Sequence, residues 1–417
     1  MFWGWYLACR SPAPAEKEAI PPNVLILSLD TLRRSEMERY GGGSSTPFLD
    51  QKAEEGLVLD QHFTCSSWTE PGVICVLTGQ DPQDLGILPR IAEEEEMVQL
   101  PLGTPTLASL MPEYQRVLVS ANPNLGPDRQ TDQGYDQTIL LPEVPAEDIK
   151  NAILDVADTL DPQKPFLLHG HFIDPHAPYA PPEAYRATLQ GRPDLPWDLT
   201  TNEGLAEMAA VLWDLDEATR QEAMTQVQLL YQGEVRYLDD TLAQLFEELE
   251  QRRLLDNTLV MFWTDHGEQF WEHHGRGHAS SLYAEENDGI AFFWGKNVHS
   301  EVWTGATTSI DLLPTLFSLL QRPLPKLPGM AVGQATEERP LFATLWPNNR
   351  APVQSITVQN QTLLYNWEGK REFYKRDTDP EEQQDLYSPE NPEAQSAWKR
   401  LQPEIQQLEP LAIGYQP

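Results

Sequence analysis

The stretch "NVLILSLDTLRRSEMERYGG", residues 23–42, is the most informative part of the sequence about the fold, because an apolar run there leads directly into a carboxylate. The run from Val24 to Leu29 is short, partly β-branched and preceded by two prolines, which predicts a strand rather than a helix. A strand that is apolar on both faces suits the centre of a parallel sheet covered on each side by helices. In such sheets ligands bind at the carboxyl ends of the strands, where Asp30 lies. The alternative for Asp30 is a capping role at the start of the next helix.

The composition is that of a large globular chain with a strongly acidic balance. At 417 residues there is room for one large α/β domain and a smaller appendage. The formal net charge of −35 argues against nucleic acid and anionic membranes as general partners, because both reward positive charge. No apolar stretch approaches the roughly 18 residues of a membrane span. An anionic substrate therefore needs local positive charge from a metal, Arg, His or a helix N-terminus.

The first 22 residues, "MFWGWYLACRSPAPAEKEAIPP", look like the end of a bacterial lipoprotein signal followed by a tether. On this interpretation Cys9 carries the lipid and the protein is exported, either periplasmic or on the outer surface. A frayed terminus of a cytoplasmic protein is the alternative. In both cases residues 1–22 should pack against nothing. With Cys65 and Cys75, the chain has three cysteines, which give no disulfide framework.

Strand and helix patterns alternate from residue 23 to about 325, which predicts a mostly parallel central sheet between helices. Predicted strands are 24–29, 115–120, 165–172, 257–265 and 289–295, and predicted helices are 48–56, 105–112 and 231–255. The Pro-rich segment 177–205 is predicted to be a surface excursion that offers substrate contacts. Four short strands at 341–345, 354–358, 361–366 and 371–376 and a helix at 391–408 predict a small antiparallel subdomain. The predicted units are thus 1–22, 23–328 and 329–417.

A second apolar strand ends on an acid in "TDHGEQFWEHHGRGHASSLY", residues 264–283. Asp265 and His266 are followed by Gly267, so the backbone can turn tightly there. Carboxylate and imidazole together are a sensible ligand set for a divalent cation. Because Asp30 also follows a predicted strand, the pattern predicts a metal site shared between two strand ends.

A possible nucleophile lies in "SSWTEPGVICVLTGQDP", residues 66–82. Pro71 favours the first turn of a helix, which places Thr69 at or next to the N-cap. A plain capping threonine is the simpler interpretation. The functional one is that the unpaired N–H groups and the helix dipole stabilise an anion beside the hydroxyl, which a metal could deprotonate.

The segment "HGHFIDPHAPY", residues 169–179, carries three histidines and an aspartate. His169 and His171 lie on the predicted strand, where one or two core histidines are unremarkable. Asp174 and His176 lie past its end and are candidates for contact with substrate or with a second metal ion.

Taken together, these motifs resemble those of the sulfatase family within the alkaline-phosphatase-like superfamily. The resemblance runs from about residue 23 to 387 and depends on the order and spacing of "DTLR" (30–33), "TPFLD" (46–50), Thr69 with "LTG" (77–79), "SANPNLG" (120–126), "DPHAPY" (174–179), "DHGE" (265–268), "EHHGRGH" (272–278) and "DLLPTL" (311–316). It implies an alkaline-phosphatase-like α/β fold and an ester hydrolase. No internal repeat is visible.

The resemblance also implies roles for individual residues. Metal ligands would be Asp30, Thr69, Asp265 and His266, with Thr69 also the covalent nucleophile. His176 and His278 would hold the anionic oxygens of the substrate or protonate the leaving group, and Asp174, Arg33 and Asn122 are further candidates for substrate contact. The cofactor would be one divalent ion, Ca, Mn or Zn, with a second near Asp174, His176 and His278 as the alternative.

The nucleophile region departs from the family pattern. Sulfatases have Cys or Ser, matured to formylglycine, at the position of Thr69, and Ser and Arg where this chain has Gly72 and Val73. Superfamily members with Thr there hydrolyse phosphate mono- and diesters through a phospho-threonine. Three functions stay open: a Thr69 ester hydrolase that favours phosphate, a true sulfuric-ester hydrolase, and a non-catalytic anion-binding descendant. The partner would be a small anionic ester, a sulfated or phosphorylated glycan, lipid or aryl compound.

Overall fold

The computed structural model describes residues 20–43, 45–87, 98–334, 336, 338–347 and 351–408. Cys9 and most of the predicted tether lie outside the described residues. The prediction that residues 1–22 pack against nothing was wrong for the last two. The Pro21 carbonyl accepts a hydrogen bond from Asn257 Nδ2 at 3.3 Å, and the Pro22 carbonyl accepts one from the Tyr114 hydroxyl at 3.0 Å.

An eight-stranded sheet forms the centre of the described structure, in the spatial order β10-β2-β9-β6-β1-β5-β3-β4. Its strands are β1 (Asn23–Leu29), β2 (Leu57–Phe63), β3 (Gln115–Ser120), β4 (Gln137–Leu140), β5 (Phe166–Phe172), β6 (Thr258–Thr264), β9 (Ala291–Gly295) and β10 (Glu301–Thr308). All pairs are parallel except those that β9 makes with β2 and β6. The predicted mostly parallel sheet is therefore confirmed. A two-stranded ribbon, β7 (Gln269–Phe270) with β8 (Arg276–Gly277), follows β6.

Both faces of the sheet are covered, as the apolar sequence of β1 requires. Leu25, Leu27 and Leu29 belong to one hydrophobic cluster, whereas Val24 and Ile26 belong to another. The helices are α1 (Pro47–Glu55), α2 (Thr69–Thr78), α3 (Ala146–Ala157), α4 (Asn202–Val211), α5 (Glu217–Gln251), α6 (Ala284–Asn287), α7 (Leu312–Leu319) and α8 (Pro392–Leu408). In the described part of the chain, no helix combines the length and the apolar character that crossing a membrane demands.

Two helix predictions needed correction. Residues 105–112 form turns instead of a helix: Leu110 N–H bonds the Thr106 carbonyl at 3.0 Å, but Pro112 has no N–H with which to continue the helical pattern. The helix predicted at 231–255 begins at Glu217, where the Asp216 side chain caps it through the Thr219 N–H, and ends at Gln251. Residues 217–222 contribute no buried side chain, so apolar periodicity gave no signal for the start of the helix.

The C-terminal part forms the predicted antiparallel sheet, made of β11 (Leu341–Leu345), β12 (Val353–Val358), β13 (Gln361–Asn366) and β14 (Arg371–Lys375). Helix α8 packs on it through Ile356, Leu363 and Phe373. The unit boundaries near residues 22 and 328 remain predictions.

The expectation of no disulfide was wrong for two of the three cysteines. Cys65 and Cys75 lie with their sulfur atoms 2.11 Å apart, a disulfide that spans Thr69 in the sequence. Cys65 follows β2 and Cys75 lies in α2, and the turn between these elements brings the two Cα atoms within 6.8 Å. The spacing of the cysteines alone did not indicate this turn.

Candidate active site

The predicted metal ligands meet because their strands are neighbours. Strand β1 pairs with β6 in parallel register, with Leu29 opposite Thr264, so that Asp30 and Asp265 leave the sheet side by side. His266 follows at once, and all three side chains are fully buried. Each contributes a ligand atom, and these atoms lie within 4.8 Å of one another. The two carboxylates, 235 residues apart in sequence, thus form one site.

The orientation of the His266 ring shows that this site suits a cation. Its Nδ1 lies 2.9 Å from the Gly267 carbonyl, which can only accept, so Nδ1 carries the hydrogen and Nε2 carries a lone pair. Nε2 lies 3.4 Å from Asp265 Oδ2 and 3.6 Å from Asp30 Oδ1. Neither oxygen has a hydrogen-bond partner among the described residues. Three buried electron-pair donors that face one another fit a divalent ion.

The electrostatics of the ligand set agree with this fit. Burial opposes ionisation of Asp30, but the hydrogen bond from His171 and the neighbouring imidazoles bring its pKa below the usual range. Burial and the Asp30 charge raise the pKa of Asp265 well above its usual range. Burial and the nearby His278 lower the pKa of His266 to about 3, which keeps its ring neutral as a ligand must be. Without a cation, one proton must offset the repulsion of the two carboxylates.

Thr69 lies beside these ligands as the first residue of α2 and is 4% exposed. Its Oγ1 is 3.5 Å from His266 Nε2 and accepts a hydrogen bond from Asn122 Nδ2 at 3.3 Å. Asn122 also donates to Asp30 Oδ2 at 2.7 Å. This amide therefore links the candidate nucleophile to Asp30, a predicted metal ligand, and the substrate contact predicted for Asn122 stays a prediction.

Gly72 allows α2 to pack directly on Asp265, one of the predicted metal ligands. A Cβ atom at this position would lie 2.9 Å from the Asp265 carbonyl oxygen and 3.2 Å from Asp265 Cβ. The serine that the family pattern places here would meet the same atoms. The glycine is thus matched to the local packing of this site.

His278 faces the site from the loop after β8. Its ring centroid lies 4.5 Å from that of His266 and 4.9 Å from that of His176. Nδ1 of His278 pairs with the fully buried Glu268 Oε1 at 3.0 Å. Burial lowers the pKa of His278, but the charge and hydrogen bond of Glu268 outweigh it and raise the pKa to about 9. His278 can therefore supply a proton at neutral pH.

These groups open into a cleft of about 1030 Å³. Thr69, Asn122, His176 and His278 line one part, together with Arg276, which sequence analysis did not single out. This cluster is where the negative oxygens of a tetrahedral group would be held. Nδ1 of His176 donates to the Ala177 carbonyl at 2.7 Å, so of the two ring nitrogens only Nε2 is left to interact with a substrate.

A buried acid pair, Asp174 and Glu234, lines another part of the same cleft. They are 8% and 5% exposed and come from the end of β5 and the middle of α5. Burial and the Asp174 charge raise the pKa of Glu234 to about 9, and burial raises the pKa of Asp174. The pair therefore holds a proton at neutral pH and offers both a donor and an acceptor.

The structure does not support two other predictions, the substrate contact of Arg33 and the alternative second metal ion. Arg33 does not line this cleft but a second cavity of about 390 Å³, and its Nη1 pairs with Glu272 Oε1 at 2.6 Å. Asp174, His176 and His278 do not form a three-ligand cluster comparable to the first in the described part of the chain. A second metal ion at these residues thus has no matching ligand set there.

Sequence analysis did not assign Glu268 or Glu234. Glu268 stands in the quoted "DHGE" motif, which marked it without indicating its partner. Glu234 lies within a long helix and carries no local signal, because its contact with Asp174 depends on packing.

Comparison with known proteins agrees with this architecture. A family model described as Sulfatase matches residues 22–321. An arylsulfatase of Clostridium perfringens is 22% identical over 287 residues, which cover 62% of this chain and 56% of that protein. The multifunctional alkaline phosphatase superfamily protein PehA of Trinickia caryophylli is 27% identical over 205 residues, covering 42% of this chain and 39% of that protein. The chain thus spans about half the length of the curated relatives it matches.

Solved structures share the fold over nearly the whole chain. A protein in complex with its substrate D-glucosamine-2-N,6-O-disulfate superposes with a TM-score of 0.75 at 15% identity, covering 94% of this chain and 98% of its own. The phosphonate monoester hydrolase of Agrobacterium radiobacter superposes with a TM-score of 0.70 at 16% identity, and the match covers 94% of this chain and 96% of that protein. The alkaline-phosphatase-like fold that the sequence predicted is confirmed.

Proposed function

The chain belongs to the sulfatase family, and from this premise we propose that it is a metal-dependent ester hydrolase in which Thr69 is the covalent nucleophile and phosphate esters are the favoured substrates. The observation that carries the proposal is the convergence of the Thr69 hydroxyl with three buried electron-pair donors, from Asp30, Asp265 and His266. A non-catalytic descendant would have no need to keep these four side chains together. It would also have no need of Gly72, which lets α2 pack against them.

Asp30, Asp265 and His266 would hold one divalent ion, with Thr69 as the fourth ligand. A mixed set of two carboxylates, an imidazole and a hydroxyl suits Mn or Zn, whereas Ca prefers more oxygen ligands. The chemistry that the ion supplies is to lower the pKa of the Thr69 hydroxyl, as metals lower that of bound water from about 15.7 to about 7.

The remaining steps follow from the chain's own residues. Oγ1 of Thr69 attacks phosphorus in line with the ester oxygen, a P–O bond to Thr69 forms, and the P–O bond to the leaving alcohol breaks. The N–H groups at the start of α2 stabilise the charge on the transferred group, while the Asn122 amide holds Oγ1 of Thr69 in place through its hydrogen bond. His278 gives its Nε2 proton to the departing alkoxide, while Glu268 holds the ring in place. The Thr69 hydroxyl loses its proton to solvent before the attack. In the second step the neutral His278 takes a proton from the water whose oxygen attacks phosphorus, the P–O bond to Thr69 breaks, phosphate is released, and Thr69 regains its proton from solvent.

The preference for phosphate rests on the chemistry of position 69. Formylglycine enzymes release sulfate by collapse of a hemiacetal, a route that a simple threonine ester lacks. Val73 stands where the family pattern has an arginine, and its side chain is fully buried in the hydrophobic core. This position therefore offers no cation to the site. The site therefore differs from a formylglycine site in more than one residue.

We also propose a small anionic ester as substrate, with export as a Cys9-anchored lipoprotein as the cellular context. Support for the first comes from the cleft, whose Arg276 and His278 offer positive charge inside a protein of net charge −35. The similar protein solved with a disulfated glucosamine directs attention to sulfated or phosphorylated sugars. The lipoprotein proposal rests on the sequence alone.

The experiment is a metal analysis combined with matched 4-nitrophenyl esters of phosphate, phosphonate, phosphodiester and sulfate. We expect one tightly bound ion and faster cleavage of phosphorus esters than of the sulfate ester. Thr69→Ser should retain measurable turnover, whereas Thr69→Ala should abolish it with the fold and most of the metal binding retained. A radiolabelled phosphate ester should label Thr69 in a rapidly quenched reaction. Faster sulfate cleavage through a trapped Thr69 sulfate ester would refute the preference for phosphorus.

A further inference from the structure

A chain of hydrogen bonds runs from Asp30 into the protein interior, away from the cleft. Its members are Asp30, His171, Ser28, His169 and Tyr135. His171 Nε2 lies 3.3 Å from Asp30 Oδ2, and the Ser28 Oγ lies 2.7 Å from His171 Nδ1 and 2.9 Å from His169 Nε2. The Tyr135 hydroxyl lies 2.8 Å from His169 Nδ1. All but Tyr135 are fully buried.

The secondary structure builds this chain. Strands β1 and β5 run parallel with Ser28 opposite His171 and Ile26 opposite His169. Ser28 therefore lies between the two imidazoles, because alternate residues of β5 point to the same face. Gly170 lies between them in sequence but faces the other side of the sheet, where a Cβ atom would lie 2.4 Å from Ile153 Cδ1.

The first bond of the chain has a fixed direction, because the ionised Asp30 carboxylate accepts and never donates, so His171 donates from Nε2. The Ser28 hydroxyl bridges the facing nitrogens of His171 and His169, and the Tyr135 hydroxyl bonds the second nitrogen of His169. Both nitrogens of each ring thus have a hydrogen-bond partner.

The result is an asymmetric Asp30 carboxylate. Oδ2 receives two donors, His171 Nε2 and Asn122 Nδ2, at 3.3 and 2.7 Å. Oδ1 has no hydrogen-bond partner among the described residues and lies 3.6 Å from His266 Nε2. Two donors on one oxygen oppose rotation of the carboxylate, which keeps Oδ1 directed at the centre of the ligand set.

We propose that His171, Ser28, His169 and Tyr135 are positioning residues that fix Asp30 so that Oδ1 faces a divalent cation. The proposal rests on the metal site of the proposed function, and it extends that site from one strand end to four further residues. Partners of this kind commonly change metal affinity by about 10- to 100-fold when they are removed. The effect of each substitution should decrease with its distance from Asp30 along the chain.

The test is a Mn²⁺ competition titration against a chromophoric chelator, with wild type, Ser28→Ala and Tyr135→Phe. We expect Ser28→Ala to weaken Mn²⁺ binding about 10- to 100-fold and Tyr135→Phe to weaken it by a smaller factor. The absorption spectrum of the Co²⁺-loaded protein should also change in Ser28→Ala, because the spectrum reports the ligand arrangement. Thr241→Val is the matched control, since it removes another buried hydroxyl, which donates to the Tyr237 carbonyl within α5.

Folded Ser28→Ala that binds Mn²⁺ with wild-type affinity and keeps the wild-type Co²⁺ spectrum would overturn the proposal. If Ser28→Ala does not fold, Tyr135→Phe decides, because it removes one hydroxyl from a half-buried ring at the far end of the chain, and unchanged affinity there overturns the proposal too. A wild-type protein that binds no divalent ion stoichiometrically would instead refute the proposed function itself, and the positioning role with it.

Discussion

Replacing Gly72 with alanine should move the nucleophile away from the metal ligands. A Cβ atom at residue 72 would lie 2.9 Å from the Asp265 carbonyl oxygen and 3.2 Å from Asp265 Cβ, closer than packed atoms tolerate. Neither contact involves the end of a flexible side chain, so α2 itself must shift. Because Thr69 is three residues earlier in the same first turn, it must shift as well.

The size of the effect follows from these distances. Relief of the overlap needs a few tenths of an ångström, and overpacking of this kind costs about 1–3 kcal/mol of stability. A misplacement of about 1 Å at a reacting group costs roughly 100-fold in rate, so we expect a loss of kcat of roughly 10-fold or more in Gly72→Ala. Gly72→Ser should lose at least as much, because it adds a hydroxyl to the same overlap.

Three measurements check this reasoning: kcat with a 4-nitrophenyl ester, Mn²⁺ affinity, and the urea midpoint of unfolding. Gly43→Ala is the matched control, since a Cβ there would meet nothing within 4 Å. Gly72→Ala with wild-type kcat and stability would refute the reasoning. A fully active Gly72→Ser would show that the glycine is a simple loss of the family's serine.

Three further predictions concern protonation and specificity. His278→Gln should slow the hydrolysis of alkyl esters by about 10²- to 10⁴-fold but that of 4-nitrophenyl esters far less, because only a poor leaving group needs a proton. Equal losses of rate for both substrates would contradict the acid role of His278. Burial lowers the pKa of His273, but Glu285, at 2.6 Å, raises it to about 9, above about 6.5 for an unfolded histidine. The ion pair therefore stabilises the fold fully below about pH 6.5, and this stabilisation is lost as the pH rises through 9. The difference in urea midpoint between wild type and His273→Gln should shrink over that range. A constant difference would argue against the stabilising role of His273. Asp174→Asn should lower the preference for a hexose 6-phosphate over cyclohexylmethyl phosphate, its analogue without hydroxyls, by about 10-fold, because hydroxyl groups of the leaving alcohol lose the charged acceptor of the acid pair. Glu234→Gln replaces a protonated acid with a neutral amide and should lower the preference less. An unchanged ratio of kcat/KM in Asp174→Asn would exclude this contact.

Much of the fold could be predicted because its signals are local. The predicted strand 115–120 matches Gln115–Ser120, and 361–366 matches Gln361–Asn366. A strand buried on both faces is mostly apolar, so an acidic residue directly after it marks the strand end. Asp30 and Asp265 were recognised in this way. The turn at residues 105–112 was predicted as a helix because its apolar pattern was given more weight than Pro112, which has no N–H to continue a helix.

The class of sheet, the positions of the strand ends and the residue types that reach them follow from the local sequence. Which of these residues meet, and how they are oriented, depends on the packing of distant segments. Ser28 and His171 are 143 residues apart and bond only because β1 pairs with β5 in one register. Glu268 becomes the partner of His278, and Asp174 that of Glu234, through the folding of a loop and the packing of α5. No periodicity encodes such pairs, because hydrogen bonds between distant segments depend on strand register and packing distance, which are properties of the whole fold.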